Sequence, residues 1–165
     1  MLKKSILIVT LVAGLVACSS KSKTARDYNN TIIAKEKKLE PEVMAVETNV
    51  KKYYDAGQFD SIAAAGEEME NKVQKAIDEI NAMKVPKAKE ADNFKVAVIR
   101  YFTFIKSMYT KYKEFGQADT EEKRQEILQE IQKGVGEKQG QVNDMQNAQR
   151  QFADANGFKL EDKTD

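Results

Sequence analysis

The stretch FDSIAAAGEEMENKVQKAIDEINAM, residues 59–83, carries the clearest periodic pattern in the chain. Its apolar and small residues recur at steps of three and four, which places them on one face of an α-helix. Such a stripe must pack against other helices. We therefore predict a helix here, with Asp60 or Ser61 as its N-cap and an end before Val85-Pro86. The stripe consists of Phe59, Ile62, Gly66, Met69, Val73, Ala76, Ile80 and Met83.

Similar periodicity predicts three further helices around this one. The first covers residues 25–55, and Pro41 within it predicts a kink or a restart because proline removes a backbone donor and clashes with the preceding turn. The third covers residues 88–115 and carries most of the aromatic residues. The fourth opens at Asp119 or Thr120 and continues to about residue 155, before Asn156-Gly157.

Four long helices joined by short connections predict an all-α fold, an antiparallel up-down-up-down four-helix bundle. Two alternatives remain open. In one, the fourth helix docks loosely on a three-helix core, and in the other the first helix is split at Pro41. The fourth helix is the least regular, because Gly134, Gly136 and Gly140 each cost about 1 kcal/mol relative to alanine. Gly134 falls near the apolar stripe and would allow close approach to a neighbour, whereas Gly136 and Gly140 fit a kink, a groove for a partner helix, or simple tolerance.

The amino-terminal stretch predicts the location of the protein. Lys3 and Lys4 precede an apolar run, residues 6–16, that is too short to span a bilayer comfortably, which is typical of a secretory signal. Leu15-Val16-Ala17-Cys18 then places the single cysteine of the chain directly after small residues. The alternatives are an ordinary secretory signal with a chance cysteine, or a short anchor helix.

The tetrapeptide resembles the lipobox of bacterial lipoproteins. The resemblance implies that residues 1–17 are a signal peptide, that cleavage precedes Cys18, and that Cys18 carries a diacylglycerol and an N-acyl chain such as palmitate. Ser19 rather than aspartate after the cysteine favours the outer membrane, on its periplasmic or outer face. We expect a polar tether at residues 18–24, a bundle domain at residues 25–157 and a flexible tail at residues 158–165.

Composition excludes several classes of function. The formal charge is +1 for the whole chain and becomes −1 without Lys3 and Lys4. Basic and acidic residues are interspersed, so a basic footprint for nucleic acid is missing. Histidine is absent from the sequence, which removes the commonest general base and metal ligand. We therefore expect no catalytic residues, no metal site and no cofactor apart from the covalent lipid. The dispersed methionines fit core packing better than soft-metal binding.

The aromatic residues of the third helix are the candidate ligand-binding group. Tyr101, Phe102, Tyr109 and Tyr112 would line a pocket for a small apolar or glycan ligand, although core packing explains most of such a pattern. Phe104 and Ile99 lie at or beyond the edge of the apolar arc and are candidates for exposed contacts.

Leu15 to Cys18, together with the helical pattern and the segment from Ala91 to Tyr109, resembles small helical surface or periplasmic lipoproteins of Gram-negative bacteria, a family without an agreed activity. The resemblance implies a non-enzymatic, membrane-anchored interaction or accessory domain with an envelope protein as its partner. A binding module for a small ligand at the third helix is the alternative.

Overall fold

The protein folds as four helices, as the sequence predicts. The structure, a computed structural model, describes the backbone of residues 13–160 and the side chains of residues 20–160. Helix α1 spans Ala13–Asp55, α2 Phe59–Ala82, α3 Ala91–Gln117 and α4 Glu121–Asn156. The described segment contains no strand. Neighbouring helices in the chain pack together, α4 closes onto α1, and the all-α four-helix bundle is confirmed.

Helix α1 corrects two expectations. It passes through Pro41 as one helix, so neither the expected restart nor the alternative of a first helix split at Pro41 is correct. It also already includes residues 20–24, where the sequence pattern favours a non-helical tether. Those residues are mostly exposed, and among the described side chains burial begins at Ala25. A polar composition therefore predicts the lack of core contacts correctly but not the local conformation.

The closest helix pair is α2 and α3, and two glycines make this approach possible. A Cβ atom on Gly66 would lie 2.6 Å from the backbone nitrogen of Lys113, and one on Gly116 would lie 2.5 Å from the backbone nitrogen of Ala63. Since backbone atoms cannot rotate away, both positions require a residue without a side chain. The predicted stripe of α2 faces this contact, and Ile62, Gly66, Met69, Val73, Ala76 and Ile80 are all buried.

The helix ends agree with the predictions in part. At α4 the side chain of Thr120 accepts a hydrogen bond from the backbone nitrogen of Lys123, and Gly157 takes a left-handed conformation after the last turn. At α2, however, neither Asp60 nor Ser61 is the cap, because Gln58 occupies that position without a side-chain hydrogen bond. Helix α3 begins at Ala91, three residues later than predicted, after Glu90 at a φ of 60°.

The core consists of two parts stacked along the bundle. The main core surrounds the rings of Tyr28, Phe94 and Phe152, whose centroids lie 5.2 to 6.5 Å apart. The second core lies at the opposite end of the bundle, near the α1–α2 turn, and consists of Ile62, Phe115, Ile127 and Ile131. Phe158, the first residue of the predicted tail, is buried in the main core and contacts Phe152 at 5.5 Å.

Helix α4 is therefore anchored at both ends. Ile127 and Ile131 reach the second core, and Met145 and Phe152 reach the main core. Between Gly134 and Met145, no residue of α4 is buried. The alternative of a loosely docked fourth helix thus applies to its middle alone, and this exposed middle leaves an opening beside α1.

Candidate functional site

A cleft of about 330 Å³ lies between α1, α3 and the middle of α4, and we call it the seam cleft. It occurs at the level where α4 buries no side chain, between the second core and most of the main core. Its lining is Val43 and Glu47 of α1, Phe104, Ile105, Met108, Tyr109 and Tyr112 of α3, and Gly134, Val135 and Lys138 of α4.

Helix α3 supplies the aromatic part of this lining. Tyr109 and Tyr112 are one turn apart, and their ring centroids lie 6.0 Å from each other at an interplanar angle of 56°. Tyr109 is buried and belongs to the main core, whereas Tyr112 is half-buried and packs against both cores. Each ring therefore packs against the core and also lines the cleft.

Helix α4 supplies a third wall, in which Gly134 leaves room for the side chain of Met108. A Cβ atom at this position would collide with Sδ of Met108 and lie 3.0 Å from its Cε. The glycine thus accommodates the Met108 side chain, as its place near the apolar stripe predicts. The next residue, Val135, is 59% exposed at the cleft. This side chain therefore contributes apolar surface to the rim of the cleft.

One ion pair stands across the opening between α1 and α4. Nζ of Lys138 lies 3.7 Å from Oε1 of Glu47, and the two side chains are 47% and 50% exposed. A pair this exposed contributes little to stability because water screens it. Lys138 is exposed, so its charge stays in contact with water and is tolerated beside the apolar residues of the cleft.

Burial and nearby carboxylates of α1 raise the pKa values of Tyr101, Tyr109 and Tyr112. Burial is the first cause that raises the pKa of both Tyr109 and Tyr112, and the nearby Glu47 carboxylate is the second. Burial is the largest cause that raises the pKa of Tyr101 to about 12, and the negative charges of Glu36 and Glu40 are the smaller ones. All three hydroxyls are thus neutral at physiological pH and are available as both donors and acceptors.

The four predicted ligand-binding residues separate into two groups. Tyr109 and Tyr112 line the seam cleft. Phe102 is buried in the main core, and Tyr101 packs against that core with its ring 5.8 Å from Phe102, so neither lines the cleft. Of the two predicted exposed residues, Phe104 lines the cleft, whereas Ile99 packs against the main core and is half-buried.

Sequence reasoning missed the contributions of α1 and the charged pair. Val43 and Glu47 follow one another at a helical step of four, but nothing in that spacing shows that they oppose Gly134 and Lys138. The available signal is the coincidence of a glycine and a lysine on the stripe of the fourth helix, which leaves that face underfilled.

Cys18, the predicted lipid-attachment residue, has a side chain outside the described residues. Among residues 20–160, no group of three or more His, Cys, Asp or Glu side chains is arranged to hold a metal ion. Within the described chain, no helix has both the length and the apolar character needed to cross a membrane. A second depression involves one surface of α1 alone, around Met44, Thr48 and Lys51.

Comparison with protein-family models, with curated proteins and with solved structures finds no match to this chain.

Proposed function

We propose that this protein is a lipid-anchored lipoprotein of the bacterial cell envelope, in the outer membrane, with a non-catalytic helical bundle that serves as an interaction or accessory domain. The observation that carries the proposal is the position of the only cysteine, Cys18, directly after Leu15-Val16-Ala17 and an apolar run. Each buried lipid CH₂ contributes about 0.8 kcal/mol, so two or three acyl chains anchor the protein stably.

The proposal that the bundle is non-catalytic has support in its chemistry. The sequence contains no histidine, and its one cysteine is assigned to the lipid. Several carboxylates of α2 are paired with lysines near the surface, such as Glu79 with Lys35 at 2.5 Å and Glu70 with Lys113 at 2.9 Å. Paired carboxylates at such positions hold helices together and are poorly suited to proton transfer.

Helix α1 connects the proposed anchor to the seam cleft. Residues 18 and 47 belong to the same helix, and a rise of 1.5 Å per residue separates them by up to about 43 Å along its axis. Such a separation is long enough to place the cleft beyond the lipid headgroups when α1 stands upright on the membrane. It supports a partner or ligand from the aqueous side of the membrane.

Mass spectrometry of the native protein tests the anchor. We expect a chain that starts at Cys18 and carries two or three acyl groups, and we expect Cys18→Ser to release the protein from the outer-membrane fraction. A native chain that is free of fatty acids, or that retains residues 1–17, would contradict the proposal.

Photo-crosslinking in intact cells tests the interaction. Val135 lines the seam cleft and is 59% exposed, and Met44 is 64% exposed in the depression on α1 that shares Glu47 with the cleft. Val96 of α3 is 55% exposed but lines neither. A crosslinker at position 44 or 135 should capture one defined envelope protein that a crosslinker at position 96 does not. Equal capture at all three positions, or none, would argue against a partner at this seam.

We propose ligand binding in the seam cleft as the second candidate function. It is favoured by one observation, the presence of Tyr109, Tyr112 and Met108 in the lining of a cleft beside a stretch of α4 that buries no side chain. The volume of the cleft lies at the lower end of the range for small-molecule sites, about 300 to 1,000 Å³.

A further inference from the structure

The seam cleft offers a ligand two kinds of surface. On the α3 side, which we call the floor, the cleft is lined by the aromatic rings of Tyr109 and Tyr112 and by the thioether of Met108. Such groups hold apolar bodies by contact, and the faces of aromatic rings also attract positive charge. A ligand with an apolar body and a cationic group therefore uses this floor better than an anion does.

The Glu47 carboxylate at the opening also favours a cationic ligand. Glu47 is the one carboxylate that lines the cleft, and its negative charge acts on both tyrosines from the α1 side. Glu36 and Glu40 extend this negative field along α1 toward Tyr101. The carboxylates of α1 thus contribute negative charge on the side of the cleft that acts on the tyrosines, and Lys138 at the same opening offsets part of it.

Lys138 shows what kind of group Glu47 accepts. The lysine presents an ammonium on an aliphatic stem to the Glu47 carboxylate, and both side chains line the cleft. Because the pair is half-exposed and separated by 3.7 Å, it is weak enough for an external ammonium to replace the lysine.

We infer that the seam cleft binds a small organic ammonium ion with an apolar or aromatic body, its cationic group at Glu47 and its body against Tyr109, Tyr112 and Met108. The inference rests on the second proposed function and adds the charge of the ligand. Lys138 acts as an internal competitor that leaves Glu47 when the ligand enters.

Three probes of similar shape and different charge test the inference: phenylethylammonium, phenylpropanol and phenylpropanoate. Each is titrated into the full-length chain by calorimetry, with isotope-labelled methionine methyl groups observed by NMR. The Met108 methyl lies in the cleft, and the methyl of Met69, buried in α2, is the internal reference. We expect the Met108 signal to shift and the ammonium probe to bind about fivefold more tightly than the neutral one.

Variants assign the preference to its residues. Glu47→Gln should weaken binding of the ammonium probe by about fivefold and leave the neutral probe unchanged, which also shows that the variant is folded. Lys138→Met should tighten binding of the ammonium probe by about threefold, because it removes the competitor. Glu137→Gln is the matched control, since Glu137 does not line the cleft and its Oε1 lies 3.9 Å from Nζ of Lys133.

The outcomes separate the two ideas. If the neutral or anionic probe shifts Met108 and binds as tightly as the ammonium, the charge inference is overturned while the cleft remains a ligand site. If the preference for the ammonium persists in Glu47→Gln, the inference is also overturned. If none of the three probes shifts Met108 at millimolar concentration, both the inference and the second proposed function fail.

Discussion

Gln149 of α4 donates a hydrogen bond from Nε2 to Oδ1 of Asn29 in α1 over 2.9 Å. Asn29 is the buried polar residue of the described chain, 5% exposed, and it lies next to Tyr28 in the main core. A polar pair in an otherwise apolar interface fixes the axial register of the two helices. If one helix shifts along the other, the buried amide oxygen of Asn29 loses its donor. It explains why α4 carries glutamine at a stripe position.

The first prediction concerns this pair. Gln149→Leu removes the donor to Asn29 and should lower the free energy of unfolding by about 1 to 2 kcal/mol, because the amide oxygen of Asn29 remains buried and unpaired. Asn29→Leu combined with Gln149→Leu should recover most of this loss, since two apolar side chains need no partner. Urea denaturation of the single and double variants measures the coupling.

Gln151 provides the control for that cycle. It is exposed on the same helix, so Gln151→Leu should change the unfolding free energy by less than about 0.5 kcal/mol. A double variant whose loss equals the sum of the single losses would show that the hydrogen bond has no specific role.

The second prediction separates glycines that the fold requires from those that it tolerates. A Cβ atom at Gly136 or Gly140 meets nothing within 4 Å, and both residues are helical and exposed. Gly136→Ala and Gly140→Ala should each stabilise the protein by about 1 kcal/mol. Gly66→Ala should instead destabilise it by about 1 to 3 kcal/mol, because the new Cβ would lie 2.6 Å from the backbone of α3.

Thermal unfolding of the three variants under identical conditions checks the prediction. A destabilising effect of alanine at position 136 or 140 would show that α4 uses the flexibility of glycine at that point. A neutral effect at position 66 would mean that α2 and α3 separate at little cost.

The helices themselves were predictable from sequence because their stripes are long and regular. The step pattern around Met69 and Val73 identifies the buried face of α2 without knowledge of its neighbours. The helix starts were less predictable. Gln58 rather than Asp60 precedes α2, because the tight turn after Asp55 fixes where the chain can re-enter a helix, and local capping preference is too weak to override it.

The cleft was predictable only in part, for a tertiary reason. Phe102 and Tyr109 lie seven residues apart on the same stripe of α3, so sequence treats them as equivalent. In the structure both residues belong to the main core, but Tyr109 also lines the cleft, at the level of Gly134, whereas Phe102 does not. The difference arises from which level of α4 faces each residue, and periodicity within α3 does not contain that information.

The third prediction is an alkaline loss of stability. The pKa of Tyr101 is raised by burial from 10.0 to about 12, and burial also raises the pKa of Tyr109 and Tyr112. Between pH 10 and 12 the unfolded chain therefore loses protons that the folded chain retains. This contribution is fully present below pH 10 and decreases as the pH rises toward the folded-state pKa.

Denaturant unfolding at several pH values, with tyrosinate absorbance recorded in parallel, measures this effect. Tyr101→Phe should reduce the dependence of stability on pH above 10, because one of the shifted groups is removed. Tyr54→Phe, at a tyrosine that is exposed, is the matched control and should keep the full dependence. Identical pH profiles for the native chain and Tyr101→Phe would contradict the assignment of the shift to Tyr101.

The fourth prediction is that the middle of α4 opens before the rest of the bundle. Residues 135–144 bury no side chain, and their backbone hydrogen bonds are exposed to water on a helix that also contains Gly136 and Gly140. Amide hydrogen exchange should therefore be faster in this segment than in residues 69–80 of α2, which pack into the main core. Gly136→Ala with Gly140→Ala should slow the exchange of residues 135–144 without changing that of α2, because alanine stabilises the local helix. Uniform protection along α4 would mean that its two anchored ends hold the middle closed, and the seam cleft would then be a rigid site that does not depend on opening of the helix.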